Sequence, residues 1–178
     1  LEFRTLKDRL KPILNPDSVT KEVKPKSTSD ELTLFAPVIA GGTLSPEELS
    51  KKIAQHSGGN ALSFELRDEK LHRYAVAFNS SDVYLIHSAQ MGEWARNPKV
   101  LKIAHDAKSL ARSTSLRGVC FDTSLAAYLV NPGVRSQDLK DIQERWGDGS
   151  AINEASTEQK LLTSARAMFT LRDSLTRE

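Results

Sequence analysis

Residues 100–133 read VLKIAHDAKSLARSTSLRGVCFDTSLAAYLVNPG. The apolar runs at 100–104 and 118–121 predict two short strands, with a helix between them. Asp122 or Thr123 can cap a second helix, which the closing Asn-Pro-Gly ends. The predicted elements are a strand at 100–104, a helix at 108–115, a strand at 118–121 and a helix at 122–130. Strands that alternate with helices in this way indicate parallel additions to a sheet.

The segment before these residues has a different pattern, with three extended runs separated by short polar turns. Because the separations are short, we expect hairpins and therefore an antiparallel three-strand meander. Ahead of the meander, Ser45-Pro46-Glu47-Glu48 combines a capping serine, a proline in the first turn and a glutamate at the third helical position. The expected elements are a strand at 34–40, a helix at 46–56, and strands at 61–66, 72–79 and 83–87.

Two more helices are predicted in the C-terminal part of the chain. Ser136 can cap the first, and Gly147-Asp148-Gly149 ends it. Ser156, with Gln159 three residues later, can open a longer helix. The apolar positions are Leu139, Ile142 and Trp146 in the first helix and Leu161, Leu162, Ala165, Met168, Phe169 and Leu175 in the second. We therefore expect an α/β fold, a mixed sheet with helices against it.

The N-terminal 30 residues differ in composition from the rest of the chain. We expect a short amphipathic helix at 1–14, a solvated linker rich in Pro, Ser, Thr and Lys at 15–30, and one folded domain at 31–178. The chain starts at Leu1 without a signal-peptide layout, so we expect a piece of a larger cytosolic protein. No apolar run approaches the roughly 20 residues that span a bilayer, so no membrane partner is expected.

Charge and cysteine content exclude several classes of site. The chain has 25 basic and 23 acidic residues, a net charge of +2, which provides no general field for attracting phosphates. The single cysteine, Cys120, excludes an internal disulfide and a cysteine-based zinc site, and its apolar neighbours predict a buried thiol. The four histidines lack metal-ligand spacing; they are His56, His72, His87 and His105.

The segments KIAHDAK at 102–108 and LRGVCFDTSLAAYLVNP at 116–132, followed by RSQDL at 135–139, resemble the middle of the exonuclease domain of bacterial family-A DNA polymerases. Residues 1–14, which begin LEFR, are similar to the end of the 5′ nuclease domain that precedes it in actinobacterial members. The resemblance is strongest at 100–145. It implies an RNase H-like fold, with a five-stranded mixed sheet whose first three strands are antiparallel and with helices on both faces.

The resemblance also locates the site of active family members. There, four acidic residues hold two metal ions about 4 Å apart, which stabilise the attacking and the leaving oxygen of a phosphodiester. The first motif, Asp-x-Glu, falls on Ser63-Phe64-Glu65, so Ser63 replaces the aspartate and only Glu65 keeps its type. The aspartate of the second motif falls on Leu110, which cannot ligate a metal, and Ser109 takes the aromatic position before it.

The third motif, a tyrosine followed four residues later by an aspartate, falls on Lys160 and Ser164. Moving the alignment by one residue gives Leu161 and Ala165, which are no better as ligands. One carboxylate of four therefore remains, whereas a hard divalent cation with phosphate needs several oxygen ligands. We expect no catalytic residue, no metal and no cofactor in this domain.

Other carboxylates and cations near these positions have structural interpretations. We expect Glu65 to pair with a cation or a hydrogen-bond donor, and Lys160 is the candidate. Asp106 lies one helical turn before Leu110 and could compensate for the lost ligands, although a loop or capping role is the simpler interpretation. For Asp122 the helix cap is again the simpler role.

The resemblance implies an inactive 3′-to-5′ exonuclease domain that serves as a structural spacer in a cytoplasmic, nucleoid-associated polymerase of DNA replication and repair. The expected partners are the polymerase and 5′ nuclease domains of the same chain, with DNA reached through the parent polymerase. The isolated domain is expected to be a monomer. Two alternatives stay open, a residual metal-dependent exonuclease and a weak DNA-binding module. The basic residues of that module would be Lys99, Lys102, Lys108, Arg112 and Arg117.

Overall fold

A computed structural model describes residues 41–56, 58–134, 136–148 and 156–178, the side chains of 65–67 excepted. The helix expected at 1–14, the linker at 15–30 and the strand at 34–40 lie outside the described residues. These three assignments and the domain start at 31 stay predictions.

The described residues form one mixed sheet of six strands. The strands are β1 (Gly42–Thr43), β2 (Asn60–Arg67), β3 (Lys70–Ala77), β4 (Val83–Ile86), β5 (Lys102–Ala104) and β6 (Val119–Asp122). Their spatial order is β1-β4-β3-β2-β5-β6. The predicted meander of β2, β3 and β4 is antiparallel, and β5 and β6 add in parallel beyond β2, as predicted. The two-residue edge strand β1, parallel to β4, makes six strands where the resemblance implied five.

The described helices are α1 (Pro46–Gln55), α2 (Glu93–Arg96), α3 (Ala107–Thr114), α4 (Thr123–Val130), α5 (Leu139–Trp146) and α6 (Thr157–Leu175). Five of the six were predicted within about two residues at each end. The single turn α2 was not predicted, because four residues are too few to show a period. No helix in these parts of the chain is long and apolar enough to cross a membrane.

Local capping signals fix where most of the helices begin. Ser45 and Glu48 form the predicted capping box of α1, with Ser45 Oγ accepting from the Glu48 amide at 3.2 Å and Glu48 Oε2 accepting from the Ser45 amide at 2.9 Å. Ser156 caps α6 as predicted. The predicted cap of α5 at Ser136 is wrong: Asp138 precedes the helix, and Ser136 Oγ instead accepts from the Asp138 amide at 3.2 Å.

Helices cover both faces of the sheet. On one face Leu62, Tyr74 and Val76 pack in a core cluster that also contains Leu49 of α1 and Leu110 of α3. The other face has small side chains on the strands, Ala61, Ala75 and Ala77, which allow α6 to lie close to the sheet. The residues of α6 in that cluster are Leu161, Leu162, Ala165 and Met168.

The prediction of a buried Cys120 thiol is wrong, because its side chain is exposed. Cys120 lies on β6, the last strand at one edge of the sheet. Apolar sequence neighbours do not bury a side chain at an edge, where one face of the strand can lack a covering helix. The sulfur lies 3.3 Å from the carbonyl oxygen of Lys102 on the neighbouring strand.

Candidate functional site

A cavity of about 620 Å³ lies where β2 passes the end of β5, between the starts of α3, α5 and α6. Its polar lining residues are Ser63, His105, Asp106, Ser109, Asp138, Lys140, Thr157, Lys160 and Ser164. Its apolar lining residues are Phe64, Leu139, Leu161 and Met168. Because β5 pairs in parallel with only the first three residues of β2, the residues just after β5 lie beside the middle of β2.

Three of the five positions singled out by sequence, Ser63, Lys160 and Ser164, line this cavity. Ser63 and Ser164 are 7% and 4% exposed, whereas Lys160 is exposed to solvent. The structure does not describe the side chain of Glu65. The structure does not bring Leu110 to the cavity, because this residue is fully buried in the core cluster on the opposite face of the sheet from α6.

On α3, the residues that reach the cavity are therefore Asp106 and Ser109. Asp106 is the N-cap, with φ of 50° in the left-handed region, a conformation that aspartate tolerates better than most residues. Its carboxylate accepts from the Ser109 amide at 3.4 Å and from Ser109 Oγ at 2.5 Å. The capping interpretation of Asp106 is confirmed.

Asp122 is confirmed as the N-cap of α4, and its carboxylate also reaches the start of α3. Its Oδ1 accepts from the amides of Ser124, Leu125 and Asp106 at 2.9, 3.3 and 3.2 Å. Its Oδ2 accepts from the Ala107 amide at 2.9 Å. One carboxylate thus joins the beginnings of two helices beside the cavity.

His105 is a cavity residue that the sequence reasoning set aside. Its Nδ1 lies 2.9 Å from Thr123 Oγ1. Burial lowers the pKa of His105, an effect that the carboxylates of Asp122, Asp106 and Asp138 partly offset. The ring is therefore held toward its neutral form. The available signal was position, because His105 directly follows the predicted strand at 100–104, and the carboxyl ends of parallel strands commonly line sites.

One of the five basic residues considered for DNA binding is not at the surface. Lys102 is fully buried, and its Nζ donates to the carbonyl oxygens of Asn97 and Arg117 at 2.8 and 2.7 Å. Burial lowers the pKa of Lys102 to about 8. The remaining four are exposed: Lys99, Lys108, Arg112 and Arg117.

Among the described side chains that line the cavity, two are carboxylates, Asp106 and Asp138, and neither stands at a position where the resemblance places a metal ligand. Serine hydroxyls and a lysine ammonium lie at Ser63, Ser164 and Lys160, whereas a pair of divalent metal ions needs several negatively charged oxygen ligands. The Asp106 carboxylate is already occupied by the first turn of its own helix. Within the described ranges, no three His, Cys, Asp or Glu side chains are grouped so that they could hold a metal ion.

Residues 61–155 match the family model described as the ribonuclease H-like domain of DNA polymerase I. DNA polymerase I of Mycobacterium bovis is 31% identical, with 82% of this chain and 17% of that protein covered. DNA polymerase I of Mycobacterium leprae is 43% identical over 32% of this chain and 7% of its own length. The chain thus spans about a sixth of the length of the first of these relatives.

Two solved structures share the fold. The Pol1 POL domain of M. smegmatis, in complex with DNA primer-template and dNTP, superposes with a TM-score of 0.63 and 28% identity over 77% of this chain and 27% of that one. Brucella melitensis NrnC has a TM-score of 0.50 and 15% identity over 67% of this chain and 72% of its own. The mixed sheet with helices on both faces is therefore an RNase H-like fold.

Proposed function

Because the chain belongs to the ribonuclease H-like domain family of DNA polymerase I, we propose that it is an inactive 3′-to-5′ exonuclease domain. In this proposal the domain is a structural spacer within a polymerase of DNA replication and repair. The observation that carries the proposal is the lining of the cavity. Ser63, Lys160 and Ser164 stand where the resemblance places an aspartate, a tyrosine and an aspartate of active members.

The replacements remove charge where two-metal chemistry needs it. A serine hydroxyl is a weak, neutral ligand and offsets none of the cost of dehydrating a divalent cation. The ammonium group of Lys160 adds a like charge at the mouth of the same cavity. The second-motif position contributes nothing to the cavity, because the side chain of Leu110 is fully buried in the core.

The nearby carboxylates supply little in place of the missing ligands. The carboxylate oxygens of Asp106 and Asp122 accept hydrogen bonds from backbone amides at helix N-termini. Asp138 adds one carboxylate to the lining of the cavity, which is fewer than two divalent ions need. His105 lines the cavity, but its contact through Nδ1 is to Thr123. The groups beside the cavity thus serve mainly to hold α3 and α4 against the end of β5.

A weak DNA-binding role is the second candidate. The observation in its favour is the exposure of Lys108 and Arg112 on α3 and of Lys99 and Arg117 on the adjoining loops. The buried amine of Lys102 takes no part in it. Phosphate contacts from the four exposed residues would weaken as salt rises, because each contact releases counterions.

The proposal extends to the neighbours of the domain. We place it between a 5′ nuclease and a polymerase domain of one cytoplasmic, nucleoid-associated chain, with residues 1–14 as the end of the nuclease, 15–30 as a linker and 31–178 as the spacer. The match to about a sixth of the M. bovis DNA polymerase I supports a place within a longer chain.

An exonuclease assay tests the proposal. The full polymerase is incubated with 3′-labelled single-stranded DNA in magnesium, in manganese and in EDTA, without nucleotides. We expect no metal-dependent release of 3′ nucleotides. The matched variant Glu65→Gln removes the one acidic residue that remains at the motif positions. Metal-dependent release that this variant abolishes would locate an exonuclease in this domain and contradict the proposal.

A further inference from the structure

Helix α4 presents a large apolar face to solvent. Leu125, Tyr128 and Leu129 are 58%, 51% and 72% exposed. Their spacing of i, i+3 and i+4 places them side by side on one face of the helix. Among the described residues, one other large hydrophobic side chain is exposed, Leu101 at 46%, and it lies outside α4.

The opposite face of α4 is also apolar and packs inside the domain. Thr123 and Ala127 are buried, and Ala126 and Val130 pack against the core cluster formed with α5 and α6. The helix contains no charged residue, whereas α1, α3, α5 and α6 all contain both polar and charged residues. A helix that is apolar all round belongs in a buried environment. The outer face therefore calls for a second packing partner.

We propose that Leu125, Tyr128 and Leu129 form a docking face for the polymerase portion of the same polypeptide chain. This inference rests on the proposed function, since it requires the domain to be part of a DNA polymerase I. The matched part covers 17% of the M. bovis polymerase and 27% of the M. smegmatis Pol1 chain. Most of each of those chains therefore lies outside the matched domain and is available to cover such a face.

The size of the face favours a tethered occupant over a second copy of the chain. Specific interfaces between separate molecules bury about 800 Å² on each partner, more than three partly exposed side chains provide. Two domains in one chain meet at an effective concentration in the millimolar range. They can therefore stay docked through an interface with a smaller apolar centre and a polar rim than separate molecules need.

The test uses the full-length polymerase that contains this domain. The double variant Leu125→Gln/Leu129→Gln makes the docking face polar and leaves the buried face of α4 intact. The matched control Leu101→Gln alters an exposed leucine outside the helix. Hydrogen–deuterium exchange with mass spectrometry then follows the amides of α4, α6 and the polymerase portion in all three proteins.

We expect the double variant to lose protection in one segment of the polymerase portion, while α6 stays protected, and the control to match the parent. Unchanged protection outside the domain in the double variant would overturn the proposal. Loss of protection in α6 as well would mean that the double variant disturbs the fold of the domain. In that case the single variant Leu129→Gln, at the most exposed position, is measured instead, and the same two outcomes support or overturn the proposal.

Two further results separate this inference from the proposed function. If the molar mass of the parent rises with concentration while the double variant stays monomeric, the face binds a second copy of the chain. That result would overturn the proposal. Exonuclease release abolished by Glu65→Gln would contradict the proposed function and leave the docking face standing. Unchanged protection would remove the docking face and leave the proposed function standing.

Discussion

Lys102 is a lysine with no exposed surface, placed at the start of β5. Its Nζ bridges the carbonyl oxygens of Asn97 and Arg117 and lies 5.8 Å from the centre of the Trp94 ring. The bridge links the loop after α2 to the loop before β6. A single ammonium group therefore holds two loops that β5 separates in sequence.

Replacing Lys102 by methionine should destabilise the domain by about 2–3 kcal/mol, because two charge-assisted hydrogen bonds disappear and the carbonyl groups of Asn97 and Arg117 each lose one partner. Urea unfolding followed by circular dichroism measures the change. The control Lys99→Met, at an exposed position close by, should cost less than about 0.5 kcal/mol. Equal losses in the two variants would show that the bridge contributes nothing.

The buried ring of His105 predicts a pH dependence of stability. Its pKa in the folded domain lies below the ordinary value of 6.5, mainly because of burial. The unfolded chain therefore takes up this proton at a higher pH, and stability falls as the pH drops from neutral through 6.5 and the folded pKa. His105→Asn should flatten this fall in denaturant midpoints between pH 7.5 and 5. The exposed His72→Asn variant should retain the slope of the parent.

Restoring charge in the cavity tests the assignment of Ser63 and Ser164. The double variant Ser63→Asp/Ser164→Asp adds two carboxylates to the lining, so manganese should raise its melting temperature but not that of the parent. Exonuclease activity should stay negligible, because substrate and water also need a supporting shell.

Adding Leu110→Asp to this double variant is the informative control. It puts a carboxylate into the core cluster rather than the cavity, so it should cost about 2–4 kcal/mol without strengthening metal binding. Manganese stabilisation of parent and double variant alike would mean that the cavity is not the former metal site.

At the scale of elements, Asp122 couples two helices. Its carboxylate accepts from four backbone amides, two at the start of α3 and two in the first turn of α4. Asp122→Ala should therefore cost about 2–3 kcal/mol, more than the roughly 1 kcal/mol of an ordinary N-cap. Thermal unfolding measures it. Glu144→Ala, on the exposed side of α5, is the control and should change stability by less than about 0.5 kcal/mol.

Helices and strands could be predicted from the sequence where the signal lies in residues that are close together in the chain. The capping box at Ser45 and Glu48 and the alternation along β2 to β4 depend on neighbours in sequence, and the structure agrees with both. Exposure at a sheet edge depends on which strand comes last. For that reason the environment of Cys120 and the short edge strand β1 could not be derived from local sequence.

The candidate site shows the same limit. Ser63, Lys160 and Ser164 meet at one cavity, as motif alignment alone would place them. Alignment does not fix the rotation of α3 about its axis. The left-handed N-cap at Asp106 starts this helix so that Ser109 turns to the cavity and Leu110 to the core. His105 reached the cavity through the parallel pairing of β5, which no spacing of histidines reveals.

At the scale of the whole molecule, the spacer role predicts no contribution of this domain to DNA binding. In the full polymerase, Lys108→Gln/Arg112→Gln should leave the slope of log affinity against log salt unchanged. If both residues contacted phosphate, the slope would lose about 1.8, or roughly 0.9 for each contact. Fluorescence anisotropy over a salt series measures it. The variant Lys51→Gln, at an exposed position on α1, controls for the general effect of lost charge.

The shared carboxylate of Asp122 also affects which ligands can bind beside the cavity. Two converging helix beginnings would normally offer free amides and positive dipole ends, which is how many proteins grip phosphate. Here the amides of Asp106, Ala107, Ser124 and Leu125 are already engaged by the molecule's own anion. These four amides are therefore not available to bind the phosphates of a nucleic acid. The negative charge of the Asp122 carboxylate also repels phosphates from this part of the domain.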